Sequence, residues 1–190
     1  MTELRPALFL DRDGVLNEEV NYLHDPRDLV MIPGSACVIA ECNRRAIPVI
    51  VVTNQAGIGR GYYDEAAYLR VNAAMIDQLA TEGARIDAWY FCPHHPGANC
   101  ECRKPKPGML VRAAEERGLA LSQSALVGDK TSDLVAGRAA GLKNVLARTG
   151  YGAKEEQELI RQGQQALFDF CIDRLGSFLP YLAQVFGAPK

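Results

Sequence analysis

The chain has 190 residues, 48% of them hydrophobic, and 21 basic against 23 acidic side chains leave a formal net charge of −2. That length fits one domain with a substantial core, expected to span residues 1–190. Charges of both signs spread along the chain give no footprint for nucleic acid or an anionic membrane, and no apolar run approaches the roughly 20 residues of a membrane span. The opening "MTELRPALFLDRDG" lacks the charged head, apolar middle and small-residue cleavage site of a signal peptide, so a cytoplasmic location is expected. In that compartment the six cysteines read as metal ligands or buried thiols rather than disulfides.

In chain order, "ALFLD" (Ala7–Asp11) reads as a strand and Gly34–Ala46 as a helix. "PVIVVTN" (Pro48–Asn54) is continuously apolar and β-branched, as a parallel strand covered on both faces would be. Asp64–Glu82 has helical spacing, with Ala67, Val71, Met75 and Leu79 on one side. "IDAWYFCP" is a third strand, Met109–Arg117 a helix ended by Gly118, and "SALVGD" a fourth strand. "DLVAGRAAG" is a short helix closed by Gly141, and "KNVLART" a fifth strand. Glu155–Arg161 reads as a helix, "ALFDF" as an edge strand, and Leu175–Phe186 as a last helix interrupted near Pro180. Alternating strands and helices imply a doubly wound, Rossmann-like three-layer α/β sandwich with a mostly parallel sheet, whose ligand sits beyond the carboxyl ends of the strands. Two runs fall outside the rhythm: 14–33, after the first strand, and 92–108, after the third. No segment is long enough for an inserted cap domain.

Three expected strands end in polar residues: Asp11 and Asp13, then Thr53 and Asn54, then Gly128 and Asp129. An aspartate after a strand is commonly a turn or cap residue. Here residues 11 and 13 project the same way along extended backbone, and Asp129 converges from another strand. Three carboxylates at one sheet edge need a cation or a retained proton, and an oxygen-only set suits Mg²⁺. In "CPHHPGANCECRKPKPG", Cys92, His94, Cys100 and Cys102 place four ligands within eleven residues, which suits a closed, structural, tetrahedral Zn²⁺ site. Zinc would staple this loop over the strand ends, with Arg103 and Lys104 immediately following. Cys37, Cys42 and Cys171 are expected as core thiols.

"DRDGV", "VVTN", "KPKPG" and "GDKTSD", in that order, resemble the four motifs of the haloacid dehalogenase superfamily of phosphatases. Val15 stands where the family pattern often has threonine. The resemblance implies that Asp11 attacks phosphorus and forms an aspartyl-phosphate, while Asp13 protonates the leaving oxygen and then activates water. It implies Mg²⁺ held by the Asp11 and Asp129 carboxylates and the backbone carbonyl of Asp13, with Asp133 orienting a metal-bound water or capping the next helix. Thr53, Asn54 and Lys104 would hold the phosphoryl oxygens. The zinc loop narrows the resemblance to two branches. One acts on heptose 1,7-bisphosphate in supplying the lipopolysaccharide core, and the flap "NEEVNYLHDPRDLVMIPG" (17–34) and "NQAGIGRGYYDEAAY" resemble it more; the other acts on histidinol phosphate. A catalytically dead, zinc-stapled binding module is the reading from a different class. Without a cap, selection of a small phosphorylated sugar falls to short loops. Their candidate contacts are Arg12, Glu19, Asn21, Tyr22, Gln55, Arg60, Arg103 and Lys130, with Arg103 foremost as the clamp on a phosphate that is not cleaved. A monomer is expected.

Overall fold

A computed structural model of the chain describes residues 4–188. Its elements run β1 (Leu8–Leu10), α1 (Ser35–Arg44), β2 (Val49–Asn54), α2 (Ala56–Gly59), α3 (Glu65–Thr81), β3 (Ala88–Cys92), α4 (Gly108–Arg117), β4 (Ala125–Gly128), α5 (Thr131–Ala139), β5 (Lys143–Ala147), α6 (Gly152–Arg161), β6 (Phe170–Ile172) and α7 (Leu182–Phe186). The six strands form one sheet in the order β3-β2-β1-β4-β5-β6, every neighbouring pair parallel. The strand order reverses at β1, which pairs with β2 on one side and β4 on the other, so the topological switch point lies where β1 and β4 end.

Both faces of this sheet are covered, which explains why β1, β4 and the body of β2 (Val49–Val52) are continuously apolar and buried rather than alternating. Leu8, Leu10, Val49, Val51, Val127 and Val145 face one core, closed by α1, α3 and the C-terminal segment through Ile39, Met75, Phe178 and Leu182. Phe9, Ile50, Val52 and Leu126 face the other, closed by α4 and α5 through Met109, Leu110, Ala113 and Ala136. Truncating a fully buried side chain such as Phe9 costs about 3–5 kcal/mol in a packed core of this kind. Caps bound α3, where the Asp64 carboxylate accepts from Ala67 N–H, and α4, which ends at Gly118 in the left-handed region.

Three expectations require correction. The edge strand read at 166–170 begins instead at Phe170. Residues 165–167 form a 3-10 turn whose Leu167 packs against Leu134, Leu146 and Leu159, while Asn144 donates to Leu167 O at 2.7 Å. The apolar run was core filling rather than a ladder. The last helix divides into a 3-10 segment, Leu175–Tyr181, and α7, because Pro180 has no N–H to continue an α ladder. Cys37 is exposed rather than buried: α1 turns Ser35, Ala36, Val38, Ile39 and Cys42 inward, and residue 37 falls on the opposite face. Among the described residues no helix is long and apolar enough to cross a membrane.

Candidate active site

The site is assembled where four strands end. Asp11 follows β1 and extends the ladder by one residue, its N–H donating to Val127 O at 2.9 Å. Asp129 follows β4, and Asp133 sits on the first turn of α5. Oxygens of Asp11, Asp129 and Asp133 lie within 4.8 Å of one another, and all three residues are buried. Lys104, 3% exposed, is set against them. Its Nζ lies 3.1 Å from Asp11 Oδ1 and 2.6 Å from Asp133 Oδ1, and it donates to Val52 O at 2.8 Å. Asn54 holds the peptide of Lys104 from both sides, accepting from its N–H at 3.1 Å and donating to its carbonyl at 3.0 Å. A side chain expected only to touch phosphate thus also positions the lysine.

One lysine does not neutralise this cluster. Burial, and then Asp133, push Asp11 up to about 6 against the pull of Lys104. Burial with Asp11 and Asp133 pushes Asp129 up to about 8. Burial works against the charge of Lys104, but Asp11 and Asp133 outweigh it and hold the amine above its usual value. The donor set fits a hard divalent cation. Asp129 Oδ2 accepts from Tyr151 N–H at 2.9 Å, while its buried Oδ1 has no hydrogen-bond partner among the described residues. Two glycines leave room for that carboxylate. A Cβ at Gly14 (φ +84°) would lie 2.3 Å from Asp129 Oδ2, and one at Gly150 (φ +57°) would lie 2.2 Å from it. Magnesium, held there by oxygens alone, is the cofactor these residues suit.

The Asp13 carboxylate does not join those of Asp11 and Asp129; at position 13 the expected metal ligand is the backbone carbonyl. Its side chain turns away from the Asp11–Asp129–Asp133 group, and Asp133 stands in the cluster instead. Both Asp13 oxygens are gripped by Arg12, Nη2 lying 3.1 and 3.0 Å away and Nε 3.2 Å from each. Asn17 and Gln55 donate a further bond each at 3.0 Å. Burial alone would raise the carboxyl, but the Arg12 charge and these donors overcome it and hold Asp13 below its ordinary range. Arg12 is itself fully buried, bonded to Asn72 Oδ1, Gln55 Oε1 and Leu23 O and lying over the Tyr68 ring. It does not line the cavity, so the expected substrate contact is replaced by an internal ion pair.

Above these groups opens a cavity of about 420 Å³. It is lined by Asp11, Asp13, Glu19, Asn21, Tyr22, Thr53, Asn54, Gln55, Arg103, Lys104, Lys130 and Asp133, and also by Leu23, Ala56, Tyr63, Pro105, Ser132 and Tyr151, none of which the sequence singled out as a candidate contact. Arg60 is exposed and stands outside it. Lys130 donates to Glu19 at 2.9 Å and lies 4.4 Å from the centroid of the Tyr151 ring. Burial opposes its charge, but Asp129 and Asp11 more than offset this and raise it. Arg103 presents a buried Nη1 without a partner among the described residues.

The second cluster closes the loop after β3. Cys92 Sγ lies 3.6 Å from His94 Nδ1 and 3.5 Å from Cys100 Sγ; Cys102 Sγ lies 3.2 Å from His94 Nδ1 and 3.5 Å from Cys100 Sγ. A tetrahedron with metal–ligand bonds of about 2.0–2.3 Å has edges of roughly 3.3–3.8 Å, so these four atoms could hold zinc with little movement. Cys92 ends β3 in register with Asn54 of β2, which ties the zinc loop to the strand that supplies Thr53 and Asn54.

A family model described as HAD-hydrolase-like matches residues 101–175. D-glycero-beta-D-manno-heptose-1,7-bisphosphate 7-phosphatase of Pasteurella multocida is 39% identical over 160 residues, covering 80% of this chain and 87% of that one. The corresponding alpha-heptose enzyme of Burkholderia mallei is 44% identical over 147 residues, covering 74% and 78%. The crystal structure of D,D-heptose 1,7-bisphosphate phosphatase from B. bronchiseptica, complexed with magnesium and phosphate, superposes with a TM-score of 0.86 at 34% identity, over 94% of this chain and 98% of that one. With its parallel sheet, its acidic cluster at the switch point and these relatives, the chain belongs to the heptose-bisphosphate phosphatase family within the haloacid dehalogenase-like hydrolases.

Proposed function

We propose that this phosphatase removes the 7-phosphate of D-glycero-D-manno-heptose 1,7-bisphosphate, with Asp11 as nucleophile and Asp13 as acid and base. Asp11 carries the strongest support for its role. Arg12 N–H and Lys104 Nζ both bond its Oδ1, at 2.7 and 3.1 Å, which fixes the carboxylate at the floor of the cavity. Attack on phosphorus forms an acyl phosphate on Asp11 and releases the sugar oxygen; Asp13, kept ionised in the free enzyme by Arg12, takes up the proton of the entering phosphate monoester and delivers it to that oxygen. Asp13 then withdraws a proton from water, and attack of that water on the acyl phosphate returns Asp11. Lys104 and the Thr53 hydroxyl stabilise charge on the phosphoryl oxygens. Magnesium, when bound to Asp11, Asp129 and the carbonyl at position 13, supplies Lewis-acid stabilisation of the same charge.

The observation that carries the bisphosphate is the pair of adjacent cations in one cavity. Lys104 is engaged with Asp11 and Asp133, whereas Arg103 keeps a buried Nη1 with no partner among the described residues. One cation belongs to the phosphate being transferred and the other is left for a second, distal phosphate. Relatives named for either anomer support the heptose and leave the anomer to experiment. The same proposal takes the enzyme as a cytoplasmic monomer of one domain over residues 1–190, supplying heptose 1-phosphate towards the lipopolysaccharide core and binding neither nucleic acid nor membrane. The test is kcat/KM for the alpha and beta bisphosphates and for histidinol phosphate, with ³¹P NMR to identify the phosphate lost. A heptose 1-phosphate product and at least a hundredfold preference over histidinol phosphate, roughly 2.7 kcal/mol of transition-state discrimination, are expected. Equal rates on histidinol phosphate would overturn the proposal.

A further inference from the structure

Tyr63 lies beyond α2, on the turn that follows β2, with its ring against Gly57, where a Cβ would sit 2.1 Å from ring carbon Cε1. Its hydroxyl reaches Gln55 Oε1 at 2.6 Å. The neighbours of Gln55 decide which end of the amide is which. A guanidinium only donates and an ionised carboxylate only accepts. Arg12 Nη2 is 3.2 Å from one amide end, which must be the oxygen, and Asp13 Oδ2 is 3.0 Å from the other, which must be the nitrogen. The Gln55 nitrogen then spends one hydrogen on Asp13 and the other on Thr53 Oγ1, at 2.9 Å. Thr53 is therefore an acceptor towards Gln55. Its own proton has no acceptor among the described residues and is left for whatever enters the cavity it lines.

Arg12 alone is a poor anchor for this arrangement. Its Nη2 has two hydrogens and four acceptors in reach: Asp13 Oδ1 and Oδ2 at 3.1 and 3.0 Å, Gln55 at 3.2 Å and Leu23 O at 3.4 Å. The Tyr63 hydroxyl has one proton and makes the shorter bond to Oε1. We propose that Tyr63 is a positioning residue, whose hydroxyl holds the Gln55 amide so that the Thr53 hydroxyl is forced to donate to the phosphoryl group. Burial pushes the Tyr63 phenol up to about 12, so it keeps the proton this bond needs. The ring also carries the flap: His24 stacks on it at 5.6 Å and 6°, and His24 Nδ1 lies 2.8 Å from Tyr22 O. The inference rests on phosphoryl transfer taking place in this cavity and is indifferent to which phosphate ester is natural.

Tyr63→Phe keeps the ring and its stacking and deletes only the hydroxyl. Turnover of p-nitrophenyl phosphate and of heptose bisphosphate by the full-length, magnesium-loaded enzyme should both lose about tenfold in kcat, with KM within about twofold, because the donated bond strengthens as charge develops. The melting temperature should stay within about 2 °C, since one half-buried hydroxyl with a single hydrogen bond carries little of the fold. In a Thr53→Val background the same substitution should cost less than about twofold further, because the relay has lost its end point. A Tyr63→Phe enzyme within about twofold of wild-type kcat on p-nitrophenyl phosphate overturns the relay, and so does an undiminished tenfold loss in the Thr53→Val background. Failure of wild type on heptose bisphosphate alone overturns the proposed substrate and leaves the p-nitrophenyl phosphate ratios to decide the role of Tyr63.

Discussion

Lys104→Met removes one positive charge from between two buried carboxylates while keeping an unbranched apolar stem of similar length. Lys104 is 3% exposed, and its ion pairs measure 3.1 Å to Asp11 and 2.6 Å to Asp133. Stripping one partner from a buried pair costs about 3–5 kcal/mol, because the charge left behind stays desolvated. For a chain of this length each kcal/mol moves the melting temperature by about 2–4 °C, so a fall of roughly 6–20 °C is expected in metal-free buffer. Activity should fall about a hundredfold or more, the usual cost of removing one donor to a developing oxyanion. Asp133→Asn added to Lys104→Met takes away one of the stranded charges. The pair should regain part of the melting temperature and none of the kcat, which separates the structural role of the lysine from its chemical one. Scanning calorimetry and steady-state kinetics on the three proteins decide the matter. A Lys104→Met protein that melts within about 2 °C of wild type would refute the account of the acidic cluster as held together by this amine.

Asp11→Asn should lower kcat by about 10⁴-fold or more with the fold retained, and a variant keeping a tenth of wild-type activity would remove Asp11 as nucleophile. In the metal-free protein Asp11 and Asp129 titrate near 6 and 8 instead of 3.8. The folded state therefore holds protons that the unfolded chain releases between about pH 4 and 8, and these groups lower stability as pH rises through that window. The gain in melting temperature on adding Mg²⁺ should accordingly be larger at pH 8 than at pH 6, and Asp129→Asn should flatten that difference; an equal gain at both pH values would contradict the cluster. Cys100→Ser should cut the zinc content from about one per chain and lower the melting temperature, as measured by metal analysis and calorimetry, since the loop has few other ties. Arg103→Ala should raise KM for the bisphosphate by roughly ten- to a hundredfold, the worth of a charge-assisted contact, and leave a monophosphate nearly unaffected. Equal damage to both substrates would remove Arg103 as the distal clamp.

The sequence by itself determined the layer architecture and the edge at which chemistry collects. Continuous apolar runs such as "VIVV" can be buried on both faces only in a parallel sheet, and polar residues directly after such runs lie at its carboxyl edge. The Cys/His cluster was legible for a similar reason, since its four members fall in two pairs, each two residues apart, within one short loop. What local spacing could not supply was side-chain direction once the chain leaves the strand. Asp11 and Asp13 share a side along extended backbone, but the turn at Gly14, with φ +84°, ends that regularity, and Asp13 swings onto Arg12 while Asp133 enters the acidic cluster from α5. Arg12 looked like a substrate contact because arginine is usually exposed. Only the packing of Tyr68, Asn72 and Gln55 from elsewhere in the chain makes a place where a guanidinium can be fully buried with a partner for each of its nitrogens. Tyr63 and Tyr151 were not legible as cavity residues, because they reach it through the paths of two loops, and those paths are set by tertiary contacts such as Tyr63 to Gln55 and Tyr151 N–H to Asp129.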